Sequence, residues 1–301
     1  MAVLTPAFVS ALFTGFRGDF RKALTAAPSA WKNVATLIPS ASASNTYGWL
    51  GQFPKFREWV GPRAVKDMAA HGYTITNKKF EDTVGVPREA IEDDTVGVYS
   101  PIFEELGRAA GVFPDELVFA LLAMGAATVC YDGQYFFDVD HPVFPNVDGT
   151  GAAAVVSNYA EGTDPAWYLV DTSRAIKPII FQERTKPEVT SMTKLDDETV
   201  FSTDVFRFGI RYRCNVGFGF WQFAYCSRKP LNDANFNSAY DAMTAFKADG
   251  GRPLGVKPTL LVVPTNLRTP AAEVVQVARR TDGSDNPNAN LVDVLVTPWL
   301  N

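Results

Sequence analysis

The side chains best suited to chemistry in this sequence are a histidine and the two carboxylates beside it. His141 lies in the run FDVDHP, next to Asp140 and close to Asp138. An imidazole beside carboxylates can form a metal site, or a general base with its orienting group. A metal ion would need a further ligand, and an Asp-x-Asp-His turn before proline is more often a hydrogen-bonded loop. The run therefore predicts a loop, with no metal-binding or catalytic residue.

The sequence motifs of the common enzyme classes are missing. The chain has no Gly-x-Ser-x-Gly elbow, no His-Glu-x-x-His helix and no Gly-x-x-x-x-Gly-Lys-Ser/Thr loop. GFGFWQ at 217–222 carries only the first two glycines of a dinucleotide fingerprint. It lies inside a strand-rich run, where glycines make room for neighbouring aromatic side chains. We therefore expect no enzyme activity and no cofactor.

The charge balance argues against nucleic-acid binding as the main role. Of 301 residues, 47% are hydrophobic and 20% are charged, as in an ordinary folded protein. The formal net charge is −5, so the surface as a whole repels phosphate backbones. The densest basic clusters are Arg211 with Arg213 and Arg279 with Arg280, and both are too small to track a phosphate backbone.

The cysteines and the apolar runs indicate the compartment. Cys130, Cys214 and Cys226 fit neither a disulfide framework nor a Cys-x-x-Cys metal site, so we expect them to be reduced and buried. The start of the sequence lacks a basic leader. The longest apolar run, 117–129, is shorter than the about 20 residues that a bilayer span needs. We expect a soluble protein that is made inside the cell and has no membrane partner.

The first 50 residues mix small residues, hydroxyls and aromatics without a sustained period. Phe8, Leu12 and Phe16 allow one short helix, but the segment has little means of forming its own core. Aromatic residues such as Trp31 and Trp49 then dock either on another copy of the chain or on the rest of the same chain. The sequence leaves these two alternatives open.

Residues 56–94 contain a run, YTITNKKFEDTVGV, that alternates apolar or β-branched residues with polar ones. This alternation predicts a projecting hairpin with a charged outer row. Such a row discourages indiscriminate strand pairing and suits a complementary neighbour. The charged residues of this row are Lys78, Lys79, Glu81 and Asp82.

The remaining sequence predicts an α+β fold. Ser100 is a suitable N-cap before Pro101, and a helical pattern follows to Met124 with a break or kink at Gly111 and Pro114. Asp-Gly within CYDGQYFF predicts a hairpin turn. Strands dominate 167–225, and helices at 236–247 and 270–279 flank a buried strand TLLVVP.

Several long strings together resemble one family, the gpT major head subunits of Mu-like tailed phages and prophages. The similarity spans nearly the whole chain, and long ordered strings are far more specific than the short motifs above. The strings are IEDD at 91–94, YDGQYFFDVDHP at 131–142, WYLVDTSRAIKPIIFQERTKPE at 167–188, FRFGIRYRCNVGFGFWQFAY at 206–225 and GRPLGVKPTLLVVPTNL at 251–267.

The resemblance implies a Hong Kong 97-type capsid fold. Its parts would be an N-terminal arm at 1–50, an extended loop at 51–95, the spine helix of the peripheral domain at 96–130, a strand-rich and mainly peripheral block at 131–234, and a mainly axial domain at 235–301. One feature departs from the usual order of this fold. The strand block here precedes the axial helices, which leaves the inner boundaries loose.

The resemblance also implies a function: a major capsid protein whose pentamers and hexamers form an icosahedral shell around double-stranded DNA. A nanocompartment shell subunit of the encapsulin type is the alternative, and an enzyme built on His141 is the other. Partners would be further copies, a separate scaffolding protein, a portal, decoration proteins and DNA held without sequence specificity. Covalent cross-linking between subunits is not expected. Expected intersubunit residues are Trp31, Trp49, Arg63, Lys66, Lys78, Lys79, Glu81 and Asp82.

Overall fold

The computed structural model describes residues 6–51, 53, 72–93, 97–147, 149–194, 196–280 and 283–301. Its helices are α1 (Pro6–Ala26), α2 (Arg88–Glu92), α3 (Ser100–Ala123), α4 (Glu198–Thr203), α5 (Asp233–Thr244) and α6 (Arg268–Val275). Its strands are β1 (Ala35–Pro39), β2 (Ser44–Tyr47), β3 (Tyr73–Thr76), β4 (Lys78–Pro87), β5 (His141–Val143), β6 (Ala154–Val156), β7 (Tyr159–Ala160), β8 (Trp167–Val170), β9 (Ile179–Met192), β10 (Val205–Phe218), β11 (Ala224–Ser227), β12 (Lys247–Ala248), β13 (Arg252–Pro253), β14 (Leu260–Pro264) and β15 (Asp293–Thr297).

A four-stranded sheet in the order β1-β9-β10-β4 forms one half of the molecule. Strands β9 and β10 are each 14 residues long and antiparallel, and β10 also pairs antiparallel with β4. Along β10 buried and exposed side chains alternate from residue 205 to residue 214, so one face of the sheet is apolar and the other meets solvent. Helices α1 and α3 cover the apolar face.

Helix α1 is the main departure from the expected N-terminal arm. It is 21 residues long, and its buried residues lie at the three- and four-residue spacing of one helix face. They pack with α3 and β10 into a separate core, in which the ring of Phe16 stacks on Phe103 at 4.2 Å. The expected short helix is therefore a long one, and it shares its core with α3 and β10. The buried residues of α1 are Val9, Phe13, Phe16 and Phe20.

Helix α3 runs without interruption through the predicted break. At Gly111 a Cβ atom would lie 2.9 Å from the carbonyl oxygen of Leu24 in α1, and at Gly107 it would collide with the carbonyl of Phe20. These two glycines let the helices approach closely. This close approach, and not a helix break, explains why residue 111 is a glycine. Ser100, the expected N-cap, is instead the first helical residue, and its hydroxyl donates to the Asp19 carboxylate of α1.

A five-stranded sheet in the order β15-β14-β8-β11-β7 forms the other half, which α5 and α6 flank. Every residue of β8, β11 and β14 is buried, as expected for central strands covered on both faces. The predicted TLLVVP strand and the two helices beside it are confirmed. The block 131–234 is divided between the two halves, because β9 and β10 belong to the first sheet and β8 and β11 to the second.

The predicted hairpin within 56–94 lies partly outside the described residues, and its two described strands do not pair with each other. Strand β3 pairs with β2, and β4 pairs with β10 as an edge strand of the four-stranded sheet. Residue Gly217, in GFGFWQ, lies where this part of the chain crosses β10. A Cβ atom there would lie 2.6 Å from Cγ1 of Ile75 and 3.1 Å from the hydroxyl of Tyr73, both in β3, so the glycine makes room for an aromatic residue, as predicted, and for an isoleucine.

The three cysteines are free and buried, as predicted. Burial raises the pKa of all three thiols, that of Cys214 to about 12. No helix among the described residues is both long and apolar enough to span a bilayer.

We expect Gly107→Ala to lower the free energy of unfolding of the unassembled subunit by about 1–3 kcal/mol, because the methyl group forces α1 and α3 apart. Gly15→Ala is the matched control, since nothing lies within 4 Å of a Cβ atom there. It should raise stability by about 0.5–1 kcal/mol. Urea unfolding followed by circular dichroism measures both. Equal effects of the two variants would contradict the role assigned to Gly107.

The cysteines should also limit stability at alkaline pH. In the folded chain the thiols stay protonated, whereas unfolded thiols ionise above about pH 8.5. The free energy of unfolding should therefore decrease as the pH rises above about 8.5. Unfolding curves between pH 7 and 10 test this, together with a thiol reagent that should label the native subunit far more slowly than the unfolded chain. Fast labelling of all three native thiols would contradict it.

Candidate intersubunit surface

The histidine site that the sequence suggested is arranged differently from the expected one. His141 is fully buried, and its Nδ1 lies 2.7 Å from Oδ2 of Asp132, not beside Asp138 or Asp140. Its ring stacks on Trp221 with centroids 4.0 Å apart. Burial, the stacked ring and the Asp132 contact together fix the imidazole in the interior, where it has no open access to a substrate.

The two other carboxylates serve the local loop. Asp138 accepts a hydrogen bond from the backbone N–H of Tyr135, and its own N–H donates to the buried side chain of Asn158. Asp140 is exposed, and the neighbouring carboxyl of Asp138 raises the pKa of Asp140. The expected hydrogen-bonded loop is therefore present, and these two residues do not form a site with His141.

Asp132 is the centre of a buried polar cluster with Cys130 and His141. The Cys130 thiol donates to Oδ1 of Asp132 at 3.0 Å, and the backbone N–H of Gln134 donates to the same oxygen. Burial alone would raise the pKa of Asp132, but the hydrogen bonds from His141 and Cys130 outweigh it and the pKa is lowered. The carboxylate thus stays ionised. Gly133 adopts the positive φ of 91° that closes the predicted Asp-Gly turn.

Cysteine, aspartate and histidine are also zinc-ligand types, and the ligand atoms of these three residues lie within 4.8 Å of one another. Tetrahedral zinc with Zn–N and Zn–O bonds of about 2.0–2.1 Å separates nitrogen from oxygen by about 3.3 Å. The 2.7 Å between His141 and Asp132 is shorter than this and is the length of a hydrogen bond. The geometry therefore fits a hydrogen-bonded structural cluster that joins the 130–134 turn to β5.

The two tryptophans expected at an interface pack within the chain. Trp31 is buried, with its ring 4.6 Å from that of Phe181. Trp49 is half-buried, with its ring 5.8 Å from that of Phe220. Both rings therefore dock on the rest of the same chain, and a contact of the exposed part of Trp49 with another copy stays a prediction. Arg63 and Lys66 lie outside the described residues.

The four charged residues of β4 are all exposed. Pairing with β10 places Lys79 and Glu81 on the open face of the sheet, whereas Lys78 and Asp82 lie on the side that faces α3. Lys79 lies directly opposite Arg213, and Glu81 opposite Arg211. In the sequence the two arginines form only a small basic cluster, because no local pattern encodes the pairing of β4 with β10.

Comparison with known proteins identifies the family to which this chain belongs. The chain matches the family model of the Mu-like prophage major head subunit gpT over residues 9–300. It belongs to this family of major head subunits. The resemblance that the sequence suggested is therefore confirmed, and so is the capsid fold that it implied.

Individual proteins and solved structures that are similar to this chain support the same family assignment. The chain is 48% identical to the major capsid protein of Escherichia phage Mu, with 94% of this chain and 93% of that protein covered. Identity is also 48% with the FluMu prophage major head subunit of Haemophilus influenzae, at the same coverage. Among solved structures, the procapsid of bacteriophage JBD30 has a TM-score of 0.88 and 64% identity, and covers 98% of this chain and 100% of that one. The JBD30 capsid has a TM-score of 0.76 and 50% identity over 100% of both chains.

This head subunit is a structural protein and not an enzyme, since its family consists of capsid proteins. It is the major capsid protein of a Mu-like tailed phage or prophage, and its place is the virion shell. The nanocompartment alternative is not favoured, because the similar solved shells named above are phage heads. Function therefore lies on the surfaces that copies share.

The buried cluster gives a pH-dependent test. Asp132→Asn should lower the free energy of unfolding of the unassembled subunit by about 1–3 kcal/mol at pH 7, because His141 and Cys130 lose an ionised acceptor. Asp132 has a lowered pKa in the folded chain, so its contribution is present above about pH 4 and is lost as the pH falls through that lowered value.

Urea unfolding of the wild type and of Asp132→Asn between pH 7 and pH 3 measures the difference. Asp140→Asn, an exposed change in the same region, is the control and should cost little stability. A wild-type advantage over Asp132→Asn that stays constant down to pH 3 would contradict the assignment of an ionised Asp132.

Proposed function

We propose that copies of this head subunit form pentamers and hexamers that close into an icosahedral shell around the double-stranded DNA of a tailed phage. The observation that carries the proposal is the full-length similarity to the JBD30 procapsid subunit, at 64% identity. Head-to-tail contacts between identical wedge-shaped subunits generate rings when the rotation closes. A subunit held on several sides leaves only when every contact breaks together, so individually modest contacts suffice.

We propose that the two halves of the molecule are the two domains of the capsid subunit. We assign the four-stranded sheet with α1 and α3 to the peripheral domain, and the five-stranded sheet with α5 and α6 to the axial domain. The expected extended loop at 51–95 lies partly outside the described residues, and within that range β3 pairs with β2. On this assignment the strand block 131–234 contributes to both domains, which explains why its inner boundaries were loose.

The acidic composition suits a container for DNA. With a net charge of −5 the subunit does not condense on phosphate backbones, so packaged DNA slides during filling and ejection. Free subunits should therefore bind DNA weakly even at low salt. An electrophoretic mobility shift with random duplex DNA at about 20 mM salt measures this, and tight binding would overturn the idea.

Other partners follow from the family. One solved JBD30 capsid is decorated with minor capsid protein trimers, and we propose that this shell takes a comparable decoration protein. A scaffolding protein and a portal are predicted partners as well, and assembly is predicted to take place in the cytoplasm of the bacterial host.

Electron microscopy of the expressed protein, with and without its scaffolding protein, tests the proposal. We expect closed shells with fivefold and sixfold rings when the scaffold is present, and aberrant or absent shells without it. Homogeneous small shells around an enzyme would instead establish the nanocompartment alternative. A protein that stays monomeric under both conditions would overturn shell formation.

A further inference from the structure

The open face of the four-stranded sheet carries an uncompensated pair of positive charges. Lys79 of β4 and Arg213 of β10 are direct cross-strand partners. Side chains at such positions have Cβ atoms about 4.5–5.5 Å apart, and like charges directly opposite one another destabilise a sheet. Within the described part of the chain, neither side chain forms a hydrogen bond or an ion pair. This arrangement costs stability in the free subunit and calls for an explanation.

Arg213 is held in an unusual way. It is half-buried, and its Nε is inaccessible and has no hydrogen-bond partner. The register of β10 against β9 shifts on both sides of Arg213, as at a β-bulge, which re-aims a side chain. A partly desolvated guanidinium is less screened by water, so it gains more from a carboxylate than an exposed one does. By contrast, five other arginines already lie beside a carboxylate of the same chain: Arg88, Arg108, Arg174, Arg279 and Arg280.

The acids of the same face are not direct cross-strand partners of the pair. Glu81 and Glu188 both lie opposite Arg211, on its two sides, so they compensate the next row of the sheet. On the other side of Arg213 the register partner on β9 is Thr185, which is uncharged. The pair therefore places positive charge at the end of β4 that directly follows β3.

We propose that this point, Arg213 with Lys79 beside it, receives a carboxylate from a neighbouring copy of the chain. The inference rests on the proposed shell function and identifies one of its contacts. A carboxylate bridges the outer nitrogens of a guanidinium in two parallel hydrogen bonds, and the adjacent ammonium adds a third charge-assisted partner. A second copy suits the site because the chain carries 33 acids against 28 basic residues. Two positive charges are also too few to follow a DNA backbone.

Lys79→Glu separates this contact from a structural role. The new glutamate lies opposite Arg213 within its own chain, so the free subunit should become at least as stable as the wild type in urea. Assembly should nevertheless weaken, because the internal carboxylate occupies the position meant for the neighbour's. We expect the subunit concentration needed for shell formation to rise about tenfold or more. Lys247→Glu makes the same change of charge at an exposed position on β12, away from this sheet, and should have a much smaller effect.

A zero-length carbodiimide identifies the partner directly. Shells assembled from a mixture of ¹⁴N- and ¹⁵N-labelled subunits should yield mixed-isotope amide cross-links between Lys79 and one acidic residue of another copy. Wild-type shells in the same assay establish the shell function independently of this contact. Normal assembly of Lys79→Glu, equal losses for Lys79→Glu and Lys247→Glu, or no cross-link from Lys79 to another copy would each overturn the proposal. Protection of Lys79 from acylation only in DNA-filled shells would assign the site to phosphate and overturn it as well.

Discussion

The antiparallel pairing of β9 with β10 is the constraint on which the rest of the structure depends. The pair is long enough to reach from one core to the other: Phe181 and Phe218 lie in the main core, and Phe206 and Phe208 in the core of α1 and α3. A two-stranded ribbon has little stability by itself, so the packing at both ends holds it. Because the ribbon is rigid only when both cores are formed, the two halves of the subunit are coupled mechanically.

The four-stranded sheet has one face without a covering layer among the described residues. Helices α1 and α3 take the apolar face, where Gly107 and Gly111 set their separation, and no comparable layer among the described residues covers the other face. An isolated protein would gain stability by placing opposite charges across that face. The positive pair of Lys79 and Arg213 does the opposite. Residues that weaken the free subunit while preparing it for a neighbour are consistent with a protein whose function is assembly.

Local patterns in the sequence predicted the elements better than their contacts. The α3 helix, the Asp-Gly turn and the buried β14 strand follow from periodicity and turn chemistry over a few residues. The partner of β4 is β10, more than a hundred residues further on, and no local pattern encodes that pairing. His141 likewise bonds Asp132 across the turn and not its adjacent carboxylates.

Glycines in α3 and aromatic residues in α1 show the same limit of local patterns. Gly111 suggested a helix break, but a glycine is needed there because the backbone of α1 passes close by, and this tertiary contact is not evident from the sequence. The spacing of Phe13, Phe16 and Phe20 is that of one helix face and indicates the long α1 helix. The surface on which this face packs, α3 and β10, is not evident from the sequence. Whole-chain similarity supplied what local patterns could not.

A shell needs contacts that select one geometry more than contacts that bind tightly. If each interface were strong, subunits docked in a wrong orientation would persist and the shell would not close. Charged contacts at an edge strand contribute modest affinity but penalise every register that brings like charges together. The planar guanidinium of Arg213 donates hydrogen bonds to a carboxylate only within a narrow range of directions. The flexible side chain of Lys79 can adjust to the same carboxylate. Such a pair rejects misaligned neighbours at small cost to the correct ones, and closure of the ring then supplies the stability that no single contact provides.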